Sequence, residues 1–167
     1  MVYWITGLSG AGKTTIGKLW YAELKKYRQN VVFLDGDKLR EVFGDDLGYT
    51  KEDRQKSAMR NARLCALLNE QGIDVVCCTI SMFNFVHQWN RQNIPQYIEV
   101  YVKASMETLY KRDQKGLYSK DSSDLAGIQV EVEEPKFPDI ILENNGDRTP
   151  EEQVAVLKAL TEKKKGE

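Results

Sequence analysis

Residues 7–14, with the sequence GLSGAGKT, constrain the fold more than any other part of the chain. They match G-x-x-x-x-G-K-[ST], a pattern whose glycines let successive backbone N–H groups surround phosphate oxygens. Residues 2–6 are β-branched and aromatic and predict a strand, whereas residues 15–24 have the apolar spacing of a helix. This order of strand, glycine loop and helix favours a nucleotide phosphate site over a turn that merely joins two elements.

The loop supplies the residues that we expect to contact a nucleoside triphosphate. They are Gly7, Ser9, Gly10, Ala11, Gly12, Lys13, Thr14 and Thr15. Lys13 can reach the β- and γ-phosphates, and Thr14 can hold Mg²⁺. A nucleotide with bound Mg²⁺ is therefore the expected ligand of this loop.

The rest of the chain alternates between strand-like and helix-like segments. Two continuous apolar runs, residues 31–35 and 74–80, are typical of strands buried in a parallel sheet, and residues 97–102 and 139–143 are predicted as two further strands. Helical patterns separate them, and Thr50 and Thr149 have the sequence context of helix N-caps. The alternation predicts an α/β fold: a doubly wound parallel sheet of about five strands with helices on both faces. We expect residues 1–167 to form one domain.

Polar residues follow two of these predicted strands. Asp35 and Asp37 come after the second strand, and Ser81 follows the third. Because ligands of α/β proteins bind at the carboxyl edge of the sheet, we expect these side chains near the phosphate loop. One carboxylate could orient a Mg²⁺-bound water, and the other could accept a proton from an attacking hydroxyl. A turn with a helix N-cap, which aspartate favours, is the alternative explanation for the pair.

Charge and composition limit the binding partners and the cellular compartment that we expect for the protein. The formal net charge of −1 gives no reason to expect a nucleic acid or an anionic membrane as the main partner. Met1 leads directly into a strand and no apolar run approaches membrane-spanning length, so we expect a cytoplasmic protein. Cys65, Cys77 and Cys78 are interpreted as reduced core thiols, and His87, the one histidine, lacks the partners of a metal site. The oligomeric state stays open, a homodimer included.

Residues 113–136 form a long polar stretch that we interpret as a lid. Arg112, Lys115 and Lys120 could bring positive charge over a nucleotide. The chain lacks the N-K-x-D motif that reads guanine, since residues 145–148 are NGDR. The short chain, the lid and the missing guanine motif favour a small-molecule kinase that uses ATP over a switch or motor protein.

Beyond the phosphate loop, the chain resembles adenylylsulfate kinases along nearly its whole length. The matching stretches are GLSGAGKTT (7–15), LDGD (34–37) with Arg40, DLGY (46–49) with EDR (52–54), IS (80–81), IEVYV (98–102), and RD (112–113) with KGLY (115–118). Together they are far more specific than the phosphate loop alone. The resemblance implies a P-loop kinase fold and transfer of the γ-phosphate of ATP to the ribose 3′-hydroxyl of a nucleotide whose 5′ end carries a sulfate.

The resemblance also implies individual roles. Asp37 would be the catalytic base nearest the 3′-hydroxyl, Lys13 would stabilise the transferred phosphoryl group, and Arg112 would contact the nucleotide from the lid region. Tyr49 would stack on the acceptor base, and Arg40 and Arg54 would hold the 5′ phosphate. The implied acceptor contacts are Asp35, Asp37, Arg40, Tyr49, Arg54, Ser57, Ser81, Lys115 and Leu125, with Asp35 also reaching Mg²⁺ through water.

Departures from the family pattern fall on the acceptor side. Leu125 replaces a phenylalanine that forms half of an adenine clamp, and stacking on an aromatic side chain contributes roughly 1–3 kcal/mol per base. Ser57 replaces an asparagine. The family's Ser-Pro-Tyr-Arg run is Ser81-Met82-Phe83-Asn84 here, which removes a proline and a cation.

This asymmetry favours the same reaction on a different acceptor. A related branch in capsule synthesis phosphorylates the 3′-hydroxyl of cytidine diphosphoramidate, whose smaller base and different 5′ group suit the lost aromatic and cation. Cytidine diphosphoramidate is therefore the favoured acceptor, and adenylylsulfate is the alternative. An inactive nucleotide-binding regulator is the alternative from another class, but Lys13, Thr14 and Asp37 are all present.

Overall fold

The computed structural model describes residues 1–113, 116 and 131–166. The strands are β1 (Val2–Thr6), β2 (Val31–Asp35), β3 (Asp74–Cys78), β4 (Tyr97–Lys103) and β5 (Ile140–Glu143). The helices are α1 (Lys13–Lys25), α2 (Gly36–Val42), α3 (Lys51–Glu70), α4 (Asn84–Asn93), α5 (Met106–Arg112) and α6 (Pro150–Lys165). Thr50 and Thr149 cap α3 and α6 as predicted, with Thr149 in a capping box and Pro150 at the first helical position.

Within the described residues, the strands form one parallel sheet in the order β2-β3-β1-β4-β5. The connection after β1 passes over β3 to reach β2, whereas the connection after β3 passes over β1 to reach β4. These two connections leave in opposite directions, which creates a crevice at the carboxyl edge between β1 and β3. The phosphate loop after β1 and the Ser81 loop after β3 therefore adjoin.

Helices cover both faces of the sheet, as the sequence predicted. Alternate strand residues enter opposite cores because successive side chains of a strand point to opposite faces. Tyr3 and Ile5 of β1 pack in a cluster with residues of α1 and α6, whereas Val2 and Trp4 pack with residues of α3 and α4. Burial on both faces explains why β1, β3 and β4 are largely apolar without alternation, whereas β5 alternates between buried and exposed residues.

The cysteines are buried and free, in agreement with their interpretation as core thiols. Cys77 and Cys78 lie on opposite faces of β3, and Cys65 shares the face of Cys77. A contact with the Cys65 thiol together with burial raises the pKa of Cys77, and burial raises the pKa of Cys78. The thiolate form that reacts with disulfides and metals is therefore disfavoured in the folded protein.

The structure departs from the predicted elements at two places. The segment after β2 folds into the short helix α2, where only a turn with an N-cap was considered, and β3 ends at Cys78 rather than at residue 80. Most of the predicted lid lies outside the described residues, and so do Lys115, Lys120 and Leu125. Among the residues that are described, no helix is both long enough and apolar enough to span a membrane.

Candidate active site

The phosphate loop connects the end of β1 to the first turn of α1. Gly10 and Gly12 have φ angles of 78° and 100°, in the left-handed region that favours glycine. Gly12 is the N-cap of α1, and a Cβ placed on it would lie 2.5 Å from the side-chain nitrogen of Asn144. Both the backbone conformation and the available space therefore require glycine at this position. The N-terminus of α1, where anions are favoured, adjoins the loop.

Two residues hold this loop from the outside. Arg112, at the end of α5, donates to the carbonyl oxygens of Gly10 at 3.3 Å and Asn144 at 2.8 Å. The side-chain amide of Asn144 donates to the carbonyl oxygen of Ala11 at 2.8 Å. The sequence reasoning included Arg112 but missed Asn144. Asn144 could have been predicted from its position directly after β5. The other candidate residues likewise follow the carboxyl ends of their strands.

Lys13 and Thr14 begin α1, and Asp35 ends β2 beside them. Thr14 Oγ1 donates to Asp35 Oδ2 at 2.8 Å, so the hydroxyl and the carboxylate predicted to serve Mg²⁺ are adjacent. Oxygen donors of this kind suit Mg²⁺, which binds through few protein ligands and keeps several waters. Lys13 Nζ donates to the carbonyl oxygen of Leu8 at 2.7 Å, so its side chain lies along the loop. This donor set fits a magnesium–nucleotide complex.

Asp35 and Asp37 occupy different positions at the start of α2. Asp35 is the N-cap of α2, and its Oδ1 accepts a hydrogen bond from the backbone N–H of Asp37 at 3.0 Å. A role at the phosphate site and a role as helix N-cap, the two explanations for this pair, are therefore compatible. One oxygen of Asp35 caps the helix, and the other accepts from the Thr14 hydroxyl. Asp37 lies in the first turn of α2 with an exposed side chain, at the carboxyl edge of β2.

Two arginines surround the exposed ring of Tyr49. The Cζ of Arg40 lies 4.5 Å from the ring centroid, and that of Arg54 lies 5.4 Å from it. Arg40 also donates to the carbonyl oxygens of Leu47 and Gly48, at 2.8 Å each, and Arg54 Nε donates to the carbonyl oxygen of Tyr49 at 2.8 Å. The cations predicted to meet the acceptor thus also fix the loop that presents the tyrosine, whose side chain is 53% exposed.

Ser81 lies in a strained turn after β3. Its φ of 30° is unusual for a residue with a Cβ, and it is only 9% exposed. Its hydroxyl pairs with Thr79 Oγ1 at 2.7 Å, and its carbonyl oxygen meets Nε2 of the buried His87 at 2.9 Å. The sequence offers His87 no histidine or cysteine partner for a metal site, but the fold places Glu99 next to it, with 3.2 Å between Nδ1 and Oε1.

The remaining departures from the family pattern shape the same loop. Phe83 is buried in the core. The Asn84 side chain donates to the carbonyl oxygen of Glu134 at 3.3 Å and accepts from the backbone N–H of Lys136 at 3.1 Å. The Glu133 side chain accepts from the backbone N–H of Asn84 at 2.8 Å. Asn84 therefore fixes the segment that follows the predicted lid to the loop after β3.

Ser57 lies partly buried on α3 beside a shallow cleft that Arg40, Phe43 and Arg60 also line. Lys115 and Leu125 fall outside the described residues, so their predicted roles stay predictions. A larger cavity of about 370 Å³ lies away from this site, near the C-terminal end of α1, where Trp20, Tyr27 and Lys158 line it.

Comparison with known proteins places this arrangement in a family. The adenylylsulphate kinase family model matches residues 1–143. The chain belongs to the adenylylsulphate kinase family. This agrees with the resemblance drawn from the sequence motifs.

Two relatives of similar sequence identity are named as different kinases. A cytidine diphosphoramidate kinase of Campylobacter jejuni is 38% identical over 160 residues, which cover 93% of each chain. An adenylyl-sulfate kinase of Halothermothrix orenii is 39% identical over 164 residues, covering 96% of this chain and 89% of the relative. The structure of the Mycobacterium tuberculosis APS kinase in complex with AMPPNP and APS superposes with a TM-score of 0.86 at 30% identity, covering 96% of each chain.

Membership of the adenylylsulphate kinase family makes the chain an ATP-dependent phosphotransferase. The geometry agrees with this activity, because the phosphate loop, Thr14, Asp35 and Arg112 lie together at the switch point of the sheet. The residues around Tyr49 and Ser81 are the ones that the sequence predicts to contact the phosphoryl acceptor.

Proposed function

We propose that this kinase transfers the γ-phosphate of ATP to the ribose 3′-hydroxyl of cytidine diphosphoramidate. The proposal rests on the hydrogen bonds of Asn84, which stands where adenylylsulfate kinases carry an arginine. Its side chain is engaged by the backbone of residues 134 and 136 and brings no positive charge to the acceptor loop. An acceptor with a different 5′ group suits this loop, and the relative from Campylobacter jejuni supports the choice.

In the proposed reaction, Asp37 accepts the proton of the 3′-hydroxyl as that oxygen attacks the γ-phosphorus. The bond between the γ-phosphorus and the β–γ bridging oxygen breaks, and ADP leaves. Lys13 stabilises the charge on the phosphoryl oxygens, and Arg112 holds the loop that binds the donor. Thr14 and Asp35 would hold Mg²⁺, which would neutralise charge on the β- and γ-phosphates. Tyr49 stacks on the acceptor base, and Arg40 and Arg54 place that ring and face the 5′ phosphate.

Adenylylsulfate is the second candidate acceptor. The adenylyl-sulfate kinase of Halothermothrix orenii is as similar in sequence as the cytidine diphosphoramidate kinase, and the superposed APS kinase structure has a similar architecture. Base recognition separates the two candidates. A pyrimidine needs less stacking surface than adenine, which agrees with Leu125 in place of an aromatic clamp residue.

The test offers ATP with each acceptor to the purified protein and compares the two values of kcat/KM. We expect cytidine diphosphoramidate to be preferred at least tenfold. Faster turnover of adenylylsulfate would reject the favoured acceptor but keep the 3′-kinase reaction. Absence of turnover with both acceptors would reject the reaction itself.

A further inference from the structure

A buried histidine holds the turn that carries Ser81. The carbonyl oxygen of Ser81 lies 2.9 Å from His87 Nε2. A carbonyl oxygen can only accept a hydrogen bond, so Nε2 must carry a proton. This bond reaches a residue with a φ of 30°, a conformation that persists only where the surroundings over-determine it.

The other ring nitrogen also needs a proton. His87 Nδ1 lies 3.2 Å from Glu99 Oε1, and neither atom has a hydrogen-bond partner among the described residues. The second oxygen of Glu99 accepts hydrogen bonds from the Arg91 guanidinium at 3.0 Å and from the Tyr97 hydroxyl at 3.4 Å. These contacts suit a carboxylate. A nitrogen lone pair facing that carboxylate in a buried site would be repelled, so a proton on Nδ1 satisfies both atoms.

The charges around this pair come from several elements. Arg91, on α4 with His87, also contacts Asp139 at 3.0 Å, just before β5. Lys164 of α6 reaches the other oxygen of Asp139 at 2.7 Å. Asp139 in turn accepts from the backbone N–H of Glu99 at 2.8 Å. Glu99 is thereby fixed from β4, α4 and the start of β5, and it gives His87 a rigid partner.

We propose that His87, protonated at both ring nitrogens, is a positioning residue that ties the Ser81 turn to Glu99 and thereby fixes the acceptor-binding loop. This rests on the proposed function, in which Ser81 contacts the acceptor. His87 itself is 4% exposed and acts through Ser81 rather than on the substrate. Loss of the tie should weaken acceptor binding and leave ATP binding unaffected, because the phosphate loop is held separately by Arg112 and Asn144.

Nitrogen-15 NMR of the imidazole tests the protonation state directly. The chain has one histidine, so a sample without an affinity tag gives a single imidazole pattern. We expect both nitrogens of the folded protein to be protonated at neutral pH. In Glu99→Gln, the new amide can donate to Nδ1, so we expect a single proton on Nε2 with the Ser81 contact retained. An unprotonated Nδ1 in the wild-type protein would overturn the proposal.

Kinetics test the positioning role. In His87→Ala we expect the acceptor KM to rise at least tenfold and the KM for ATP to stay within twofold, whereas Glu99→Gln should keep the acceptor KM within about threefold. Val86→Ala is the matched control, because Val86 is equally buried on α4 but packs in the core beside α3. An equal effect of His87→Ala and Val86→Ala on the acceptor KM would refute a positioning role.

The two proposals can fail separately. If wild-type protein phosphorylates neither acceptor, the proposed function fails, and the inference is then decided by NMR alone. In that case a doubly protonated imidazole, together with shifted backbone amides of residues 82–84 in His87→Ala, supports the tie. A neutral imidazole or unchanged amides reject it.

Discussion

At the scale of single residues, the site depends on side chains that each make two contacts. Asp35 caps α2 with one oxygen and meets Thr14 with the other, so a single residue links the helix start to the predicted Mg²⁺ position. Asp37, by contrast, has an exposed side chain in the first turn of the helix, which leaves it accessible to an acceptor. From this difference we predict that Asp35 has a positioning role and that Asp37 takes the proton.

Asp37→Asn tests that assignment. We expect kcat to fall at least about 100-fold, because a general base typically contributes 10²- to 10⁴-fold and an amide cannot take the proton. The dissociation constant for ATP, measured by calorimetry, should stay within twofold. Asp45→Asn, which changes an exposed carboxylate in the loop after α2, is the control and should keep full turnover. A kcat within threefold of wild type in Asp37→Asn would contradict the assignment.

Gly12→Ala tests whether the N-cap of α1 requires glycine for its backbone conformation and for the space beside Asn144. The new Cβ would meet the Asn144 side chain at 2.5 Å in a residue with a φ of 100°. Backbone strain of this kind costs about 1–3 kcal/mol, and relief of the contact would displace the loop. We expect a lower melting temperature and a KM for ATP raised at least tenfold.

Gly146→Ala is the matched control for that prediction. Gly146 has a nearly identical φ of 102°, but a Cβ there would meet nothing within 4 Å. Its substitution should lower the melting temperature through backbone strain alone and leave the KM for ATP unchanged. Equal KM values in both variants would show that the contact with Asn144 does not matter.

At the scale of elements, the loop after β3 is fixed from two sides. His87 holds the carbonyl oxygen of Ser81 from the core, and Asn84 holds residues 134 and 136 from the surface. The backbone N–H of Glu133 adds a bond to the carbonyl oxygen of Met82 at 2.9 Å. The loop that differs most from the family pattern is therefore also the loop that anchors the end of the predicted lid.

Asn84→Ala tests this anchor. Removal of the side chain breaks two hydrogen bonds, each contributing about 0.5–1.5 kcal/mol, to a segment that has few other ties to the loop. We expect the acceptor KM to rise three- to tenfold in steady-state assays. Asn93→Ala, which removes an exposed amide at the other end of α4, should leave the acceptor KM unchanged. An unchanged acceptor KM in Asn84→Ala would show that the anchor does not influence acceptor binding.

At the scale of the whole molecule, the buried thiols make the free energy of unfolding depend on pH in the alkaline range. The contact with the Cys65 thiol and burial raise the pKa of Cys77, and burial raises the pKa of Cys78, so the folded protein keeps protons that an unfolded chain loses above about pH 8.5. Below that pH both states are protonated and this contribution to stability is fully present. As the pH rises further, the unfolded state binds fewer protons than the folded state, and the free energy of unfolding falls.

Urea unfolding at pH 7.5 and 9.5 measures this effect. We expect the wild-type free energy of unfolding to decline between these values by about 1–3 kcal/mol, since each suppressed thiol ionisation contributes up to about 1.4 kcal/mol per pH unit above its unfolded pKa. Cys77→Ala combined with Cys78→Ala should be less stable at both pH values but should lose less on going to pH 9.5. The same decline in both proteins would exclude the thiols as its source.

The sequence by itself determined the elements whose signals are local. The strand, glycine loop and helix around residues 7–14, the N-caps at Thr50 and Thr149, and the five strands could be predicted because each depends on neighbours within a few residues. The family motifs added the reaction class, which the family comparison confirmed. The identity of the acceptor and the individual catalytic roles stay predictions.

Only the tertiary structure decided which distant residues meet. Asn144 reaches the phosphate loop 133 residues away along the chain, and His87 finds Glu99 only because α4 packs against β4. Such contacts depend on the strand order β2-β3-β1-β4-β5, which no local pattern encodes. Local spacing therefore identified the phosphate-binding loop, whereas long-range packing determined what holds it and how the acceptor loop is fixed beside it.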